Sequence, residues 1–384
     1  MKWNESTLGA VVDDDGGTIQ TGPFGSQLHQ HEYRPEGVPV IMPKDISDGR
    51  VSAESVARVS EQTANRLARH KLHVGAIVLP RRGEIAKRAF IDQAQEDWLC
   101  GTGCLKIELA AHGRILPEFL YYYMEQHAAI RWLEQHAVGT TMLNLNTEIV
   151  GDLPVRYPNL DVQREIVRTL ESYKELIENN RRRIALLEQA ARLLYEEWFV
   201  RFRFPGHEHV KKVNGLPVGW KRPTLGEYAP FQYGKALRED QRADGDVPVY
   251  GSSGRVGTHN KPFVDEPGII VGRKGNVGAV YFSEVPFWPI DTTYYIDNEN
   301  VSRFLFYALQ RLQFINTDVA VPGLNRGFAH SRELIVPTDP ILSQYEEKVA
   351  PPFSMAKLLE RQNTQLQAAR DLLLPRLMSG EVEV

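Results

Sequence analysis

Residues 163–198 begin Gln163-Arg164-Glu165-Ile166-Val167-Arg168-Thr169-Leu170 and end Leu194-Tyr195-Glu196-Glu197-Trp198. Within them Ile166, Leu170, Tyr173, Ile177, Asn180, Ile184, Leu187, Ala191, Leu194 and Trp198 recur at alternating spacings of four and three, with charged residues elsewhere. An apolar residue every 3.5 positions lays one seam along a helix, the pattern of a coiled-coil strand. At 1.5 Å per residue, roughly 37 residues give a rod of about 55 Å. A second, less regular seam follows at the other end of the chain: Ala356, Leu359, Asn363, Leu366, Arg370, Leu373 and Leu377. Each seam holds one Asn near its middle, a residue that weakens a coiled coil but fixes its register. Antiparallel packing would bring Asn180 and Asn363 together. Pro351-Pro352 is expected to interrupt the second helix, with a clean start only afterwards, and Pro375 to kink or end its final turn.

Each helix follows a stretch that resembles the other in order. Trp3, four residues, then Leu8-Gly9 is answered by Trp220, four residues, then Leu225-Gly226. Ile77-Val78-Leu79-Pro80-Arg81-Arg82-Gly83 is answered by Ile269-Ile270-Val271-Gly272-Arg273-Lys274-Gly275, and the register holds to Phe90 and Phe282. Phe119-Leu120-Tyr121-Tyr122 and Phe304-Leu305-Phe306-Tyr307 read as helical, and Leu153-Pro154-Val155 is matched with Leu334-Ile335-Val336. The offset falls from 217 to 192, 185 and 181 along these pairs. With the long helical pattern that begins near Gln163 and Gln344, five matches in one order imply a duplicated domain with deletions in its second copy, on a period too long for a solenoid. Short apolar runs such as Val38-Pro39-Val40-Ile41 and Gly268-Ile269-Ile270-Val271 read as strands. Phe204-Pro205-Gly206 to Leu216-Pro217-Val218-Gly219 reads as a polar linker. The fold expected is α+β: two similar mixed domains separated by two long antiparallel helices that form a coiled coil.

Composition bounds the function. With 384 residues the chain exceeds what one core serves. Hydrophobic residues at 42% and charged residues at 24% suit a globular protein. No apolar run reaches the ~18 to 20 residues of a membrane span, and Met1-Lys2-Trp3-Asn4-Glu5 is no signal peptide, so a cytoplasmic location is expected. Cys100 and Cys104 are too few for a disulfide framework or a structural zinc and read as a reduced pair. His29 and His31 lack metal-site spacing. The net charge of −4 means that any binding to phosphates needs positive charge concentrated locally, or lent by a partner.

Catalytic signatures are missing. Gly272-Arg273-Lys274-Gly275-Asn276-Val277-Gly278 is glycine-rich but lacks the Lys-Ser/Thr that closes a phosphate loop. Gly101-Thr102-Gly103 completes no dinucleotide fingerprint, and Tyr250-Gly251-Ser252-Ser253-Gly254 is not a nucleophile elbow. In Ala350-Pro351-Pro352-Phe353, Ala350 stands where an amino-methyltransferase loop needs an amide or carboxylate. No catalytic residue, metal or cofactor is therefore assigned. The alternatives are a coiled-coil scaffold or a nucleotide-binding enzyme using turn 272–278.

Several strings resemble one family, the specificity subunits of Type I restriction-modification systems. Thr21-Gly22-Pro23-Phe24-Gly25-Ser26-Gln27-Leu28 is similar to the opening loop of a target recognition domain. Val271 to Gly275, Phe287-Trp288 and Asp291-Thr292-Thr293-Tyr294 resemble part of another. Gln163 to Phe199 resembles the central spacer, and Leu372-Leu373-Leu374-Pro375-Arg376-Leu377-Met378-Ser379-Gly380 the C-terminal end. The resemblance spans essentially the whole chain. It implies target recognition domains over 1–160 and 220–342, spacer helices over 161–203 and 343–384, and a linker over 204–219. It implies double-stranded DNA as ligand, each domain reading one half of a split site, and no catalysis by the chain itself. The implied partners are two modification (methyltransferase) subunits carrying S-adenosylmethionine and restriction subunits carrying ATP, with no membrane partner.

Base reading needs paired donors and acceptors: Arg or Lys toward guanine, Asn or Gln toward adenine. The candidates in the first domain are Ser26, Gln27, Lys44, Arg81, Arg82, Thr140, Thr141, Asn144 and Asn146. In the second they are Ser252, Ser253, Arg255, Arg273, Lys274, Asn276, Asn325 and Arg326. Because Arg81-Arg82-Gly83 and Arg273-Lys274-Gly275 are duplicated while half-sites normally differ, these turns are expected to hold phosphates rather than read bases. Asn144 and Asn325 could instead cap local turns.

Overall fold

A computed structural model describes residues 2–47, 49–53, 56–139, 142–312, 314 and 323–383. The chain forms two compact units: Met1–Asn179 with Gln362–Val384, and Asn180–Arg361. We refer to them as the first and second units.

The two units repeat one sheet. In the first, the strand order is Thr18–Thr21, Cys104–Glu108, Ile77–Pro80, Ala89–Phe90, every neighbour antiparallel. In the second it is Gln232–Tyr233, Thr293–Ile296, Gly268–Gly272, Val280–Ser283, again all antiparallel. A second sheet also recurs at its core. Val38–Ile41 pairs parallel with Leu99–Cys100 and antiparallel with Ala57–Val59. Val247–Gly251 pairs parallel with Trp288–Pro289 and antiparallel with Gly254–His259. The central strands are buried along their length, as in Ile77–Pro80 and Gly268–Gly272, which is why both read as unbroken apolar runs.

The duplication also sets the helices. Thr7 and Thr224 cap the helices Leu8–Asp15 and Leu225–Tyr228. The helices Pro117–Glu125 and Arg303–Arg311 bury Phe119 and Leu120, and Phe304 and Leu305. Near the end of each unit the register differs from the sequence match. Asn4 to Thr7 pair with Tyr157 to Pro154, while Lys221 bridges Val336 and Thr224 bridges Glu333. Pro154 therefore corresponds to Glu333, an offset of 179 rather than 181. Only alternate residues of a strand face inward, so buried Val155 and Tyr157 match buried Leu334 and Val336.

The first long helix runs Leu160–Tyr195 and continues into a wider turn, Glu196–Val200. Its start is anchored by fully buried Gln163. The Gln163 amide donates to Arg114 O and Pro158 O at 2.8 and 2.9 Å, and its Oε1 accepts from Leu116 N at 2.8 Å. The second long helix runs unbroken over Asp339–Ser379, against the expected interruption at Pro351-Pro352 and the expected kink or end at Pro375. Pro351 and Pro375 are exposed, so water can reach the carbonyls they leave unpaired. Buried Tyr345, Val349, Ala356 and Leu359 hold the helix on either side of the proline pair.

Within each unit the two helices run antiparallel. In the first unit, Ile166 and Leu170 share a core with Leu374, Leu377 and Met378. In the second, Ala191, Tyr195 and Trp198 share one with Tyr345 and Val349, and Tyr345 Oη donates to Ala191 O at 3.3 Å. Among the seam residues, Ile166, Leu170, Ile177, Asn180, Leu359 and Asn363 are buried, and Ile184, Leu187, Leu194, Leu366 and Leu373 half-buried. Asn363 Nδ2 donates to Ile177 O at 3.3 Å.

The stretch read as a linker is folded. Lys212–Val213 and Leu216–Pro217 form a hairpin around Asn214-Gly215, whose φ values of 52° and 78° are those a two-residue turn requires. Phe204 packs on Trp220, ring centroids 5.2 Å apart. Among the described residues no helix is long and apolar enough to cross a membrane.

Candidate nucleic-acid interface

In each unit several candidates lie against the short loop that precedes the inner strand Cys104–Glu108 or Thr293–Ile296. In the first unit this loop is Gly101-Thr102-Gly103. Gly101 O lies so close to Gly22 that a Cβ there would sit 2.0 Å from it, and Thr102 Oγ1 donates to Pro23 O at 2.9 Å. Gly103 O accepts from Arg81 N at 2.7 Å, and Gly103 also lies against Pro43, at the head of the short turn that exposes Lys44. In the second unit the loop is Ile290-Asp291-Thr292. A Cβ on Gly234 would sit 2.1 Å from Ile290 O, and Thr292 O accepts from Arg273 N and Lys274 N at 2.9 and 3.1 Å. The hairpin tip Ser252-Ser253 reaches the same basic turn, since a Cβ on Gly275 would be 3.1 Å from Ser252 Oγ.

The duplicated basic turns are built alike. Leu145 N donates to Arg81 O and Leu324 N to Arg273 O, both at 2.8 Å. Arg82 bridges Asn144, and Lys274 bridges Gly323. Arg82 and Lys274 are exposed, whereas Arg81 and Arg273 are half-buried. The Arg81 guanidinium donates from Nε to Leu145 O at 3.2 Å and lies 5.5 Å from the centre of the Phe24 ring. The Arg273 guanidinium donates to Asp291 O at 3.2 Å and lies 5.0 Å from Tyr233 and 5.7 Å from Tyr294. Arg326 lies 4.9 Å from the same Tyr233 ring.

The remaining candidates divide by what their side chains already do. Asn146 caps the helix Thr147–Gly151 by accepting from Ile149 N at 2.7 Å, and Asn325 caps Arg326–His330 by accepting from Phe328 N at 3.0 Å. The capping role thus falls to the pair Asn146 and Asn325. Asn144 is different: its backbone pairs with Val138, and its buried Oδ1 has no partner. Gln27 Oε1 accepts from Phe24 N at 3.0 Å, fixing a loop that exposes Ser26. Ser253, Arg255, Asn276 and Arg326 are exposed, Ser252 half-buried. Thr140 and Thr141 lie outside the described residues.

Sequence reasoning did not single out Phe24 and Tyr233, which are 51% and 48% exposed. An exposed aromatic that a cation covers is a recurrent surface device, and Phe24 inside Gly-Pro-Phe-Gly-Ser was the visible signal. Nor did it single out Lys235, which lies 5.5 Å from Phe263 and 5.8 Å from Trp288.

Charge separates the units. Lys and Arg number 24 against 21 Asp and Glu in residues 180–361, a net of +3. In the other unit they number 21 against 28, a net of −7. Among the described residues, no carboxylate forms an ion pair with Arg82, Arg273, Lys274 or Arg326.

The surroundings offer little for other chemistry. Burial pushes the Cys100 thiol up to about 12 and raises Cys104 well above its usual value, so neither is a ready thiolate. His73, Glu96 and Asp97 bring potential ligand atoms within 4.8 Å, but each already has a partner. Glu96 pairs with His73 and accepts from Val74 N, while Asp97 pairs with Lys71. The glycine-rich turn closes on itself: Gly272 N donates to Ala279 O and Gly278 N to Gly272 O, both at 2.8 Å. Those amides are spent on the hairpin and cradle no phosphate.

Two copies of one sheet, each with an uncompensated basic turn beside a capped helix, define a duplicated binding protein. Sequence and structure comparisons then say of which kind. The Type I restriction modification DNA specificity domain matches residues 2–189 and 217–337, and the chain belongs to that family. The MjaIX specificity subunit of Methanocaldococcus jannaschii is 23% identical over 424 residues, covering 100% of this chain and 97% of that one. The HindI specificity subunit of Haemophilus influenzae is 22% identical, covering 76% and 83%. A crystal structure of the Type I restriction-modification S subunit from M. genitalium superposes with a TM-score of 0.59 at 18% identity, covering 98% and 96%, which shows the shared fold.

Proposed function

We propose that this chain is the non-catalytic DNA-reading subunit of a Type I restriction-modification complex, each unit reading one half of a bipartite duplex site. The observation that carries the reading is the repeated interface: the same loop, basic turn and capped helix occur in both units, with different side chains at their exposed positions. Repeated backbone suits a common task, and differing side chains suit two different half-sites. Arg82, Lys44, Lys274 and Arg326 supply phosphate contacts. Ser26, Ser252, Ser253, Arg255 and Asn276 face the bases. S-adenosylmethionine is expected on two modification subunits and ATP on restriction subunits. The acidic balance of the first unit makes binding depend on those partners, which lend positive charge.

The test is a mobility-shift selection from a randomised duplex pool, with and without the methyltransferase partner. Enrichment of two short sequences at a fixed separation supports the reading. Retention of the pool without enrichment rejects it.

A further inference from the structure

The half-buried arginine of each basic turn does a job that a phosphate ligand does not need. Arg81 joins three segments of its unit. Its backbone amide donates to Gly103 of the loop before the inner strand Cys104–Glu108, and its carbonyl accepts from Leu145 ahead of the capped helix. Its guanidinium returns to Leu145 O and covers Phe24 of the first loop. Arg273 joins the same three segments in the second unit: Thr292 and Asp291, Leu324, and Tyr233. The aromatic comes from different positions. Tyr233 pairs with Tyr294 as Thr21 pairs with Leu105, so Phe24 lies three residues beyond the position equivalent to Tyr233. Two separate backbone solutions deliver an exposed ring to the same guanidinium, so the contact itself is what the repeat retains.

We infer that Arg81 and Arg273 are positioning residues, each holding the reading surface of its own half in shape by tying an exposed aromatic to two loops. Backbone hydrogen bonds and ring contact occupy the guanidinium, which leaves the exposed neighbours Arg82 and Lys274 to meet phosphates. This inference rests on the DNA-reading role proposed above. A phosphate ligand contributes equally to every sequence and to the salt dependence, whereas a positioning residue acts on discrimination.

The experiment uses the complete methyltransferase complex and measures binding to cognate duplex, to duplexes altered in one half-site, and to unrelated duplex, over a salt series. Arg81→Ala is expected to cut discrimination within one half-site about tenfold. It should leave the other half-site, the affinity for unrelated duplex and the salt slope unchanged. Arg273→Ala should do the same for the opposite half. Arg82→Ala, by contrast, should weaken all duplexes alike and lower the salt slope by about one.

Phe24→Ala provides the second variant, because an exposed ring can be removed without opening the core. It should reproduce the relaxed half-site and combine less than additively with Arg81→Ala. Uniform loss with a reduced slope for Arg81→Ala would overturn the inference and return that arginine to phosphate contact. So would Phe24→Ala leaving discrimination intact, even if Arg81→Ala does not fold. A wild-type complex that does not discriminate between duplexes at all would instead overturn the DNA-reading role.

Discussion

The first unit carries a net charge of −7 and the second +3, yet both build the same sheet in the same strand order. The contrast continues at residue scale. Where the first unit has Asn144, Thr147 and a phenylalanine over its arginine, the second has Gly323, Arg326 and a tyrosine touched by two guanidinium groups. The lesson is a division of labour between backbone and surface. Close contacts that set the loops and the basic turns are shared, whereas exposed charge beyond those turns is not.

If that division is right, the largest effects come from breaking what is shared. Gly22 and Gly234 press against a neighbouring carbonyl that a methyl group would overlap, at 2.0 and 2.1 Å. The obstacle is backbone on both sides, so neither can move without dragging a strand. Gly22→Ala and Gly234→Ala should each destabilise their unit by more than about 4 kcal/mol, in the range reserved for severe packing faults. Denaturant unfolding followed by intrinsic fluorescence measures it. Similar losses in the two variants support a common scaffold. A loss in one alone would show that the resemblance of the two loops is superficial.

A smaller effect should follow from removing exposed charge, one cation of the shared turn and one the first unit lacks. Lys274→Ala combined with Arg326→Ala removes two uncompensated cations from the second unit. Binding of all duplexes should weaken about tenfold or more at moderate salt, with the slope against log salt falling by about two. The opposite outcome, a stronger effect from Arg82→Ala alone, would place the electrostatic weight on the acidic unit and reverse the comparison.

The sequence carried unequal amounts of this. A heptad seam is local, so the long helices and buried Ile166, Leu170, Ile177 and Leu359 were legible from spacing, whereas buried Tyr195, Tyr345, Val349 and Leu374 lie off that seam. The order of elements was legible because the chain states it twice. Register was harder. Leu334-Ile335-Val336 looks like one apolar run, but Leu334 and Val336 are buried while Ile335 is only half-buried, and the match was set two residues too far. The proline rule misled because it describes an isolated helix. Here Tyr345, Val349, Ala356 and Leu359 are packed on both sides of Pro351-Pro352, and packing outweighs the lost hydrogen bonds. Asn214-Gly215 is a strong hairpin signal that a polar composition concealed. At the interface, the basic turns were visible as a repeat. The covering of Phe24 and Tyr233 was not, since it depends on three loops meeting in space.

The smallest expected effect separates the units by pH. Each holds a histidine with its pKa lowered, first by burial and then by a nearby arginine: His70 beside Arg69 and Lys106, and His330 beside Arg326. His70 is buried, accepts from Arg69 Nε at 3.0 Å and is pushed down to about 4, whereas His330 is only half-buried. A histidine kept neutral in the fold takes up its proton mainly in the unfolded chain. Between the ordinary 6.5 and about 4 the unfolded chain therefore binds more protons. This contribution is fully present above that window and is lost as pH falls through it. Scanning calorimetry from pH 7 to 4.5 should show the thermal midpoint falling, at about 2 to 4 °C for each kcal/mol lost. His70→Gln should flatten that fall more than His330→Gln. Equal flattening would mean that burial differs less between the halves than the packing indicates, and the asymmetry would then rest on surface charge alone.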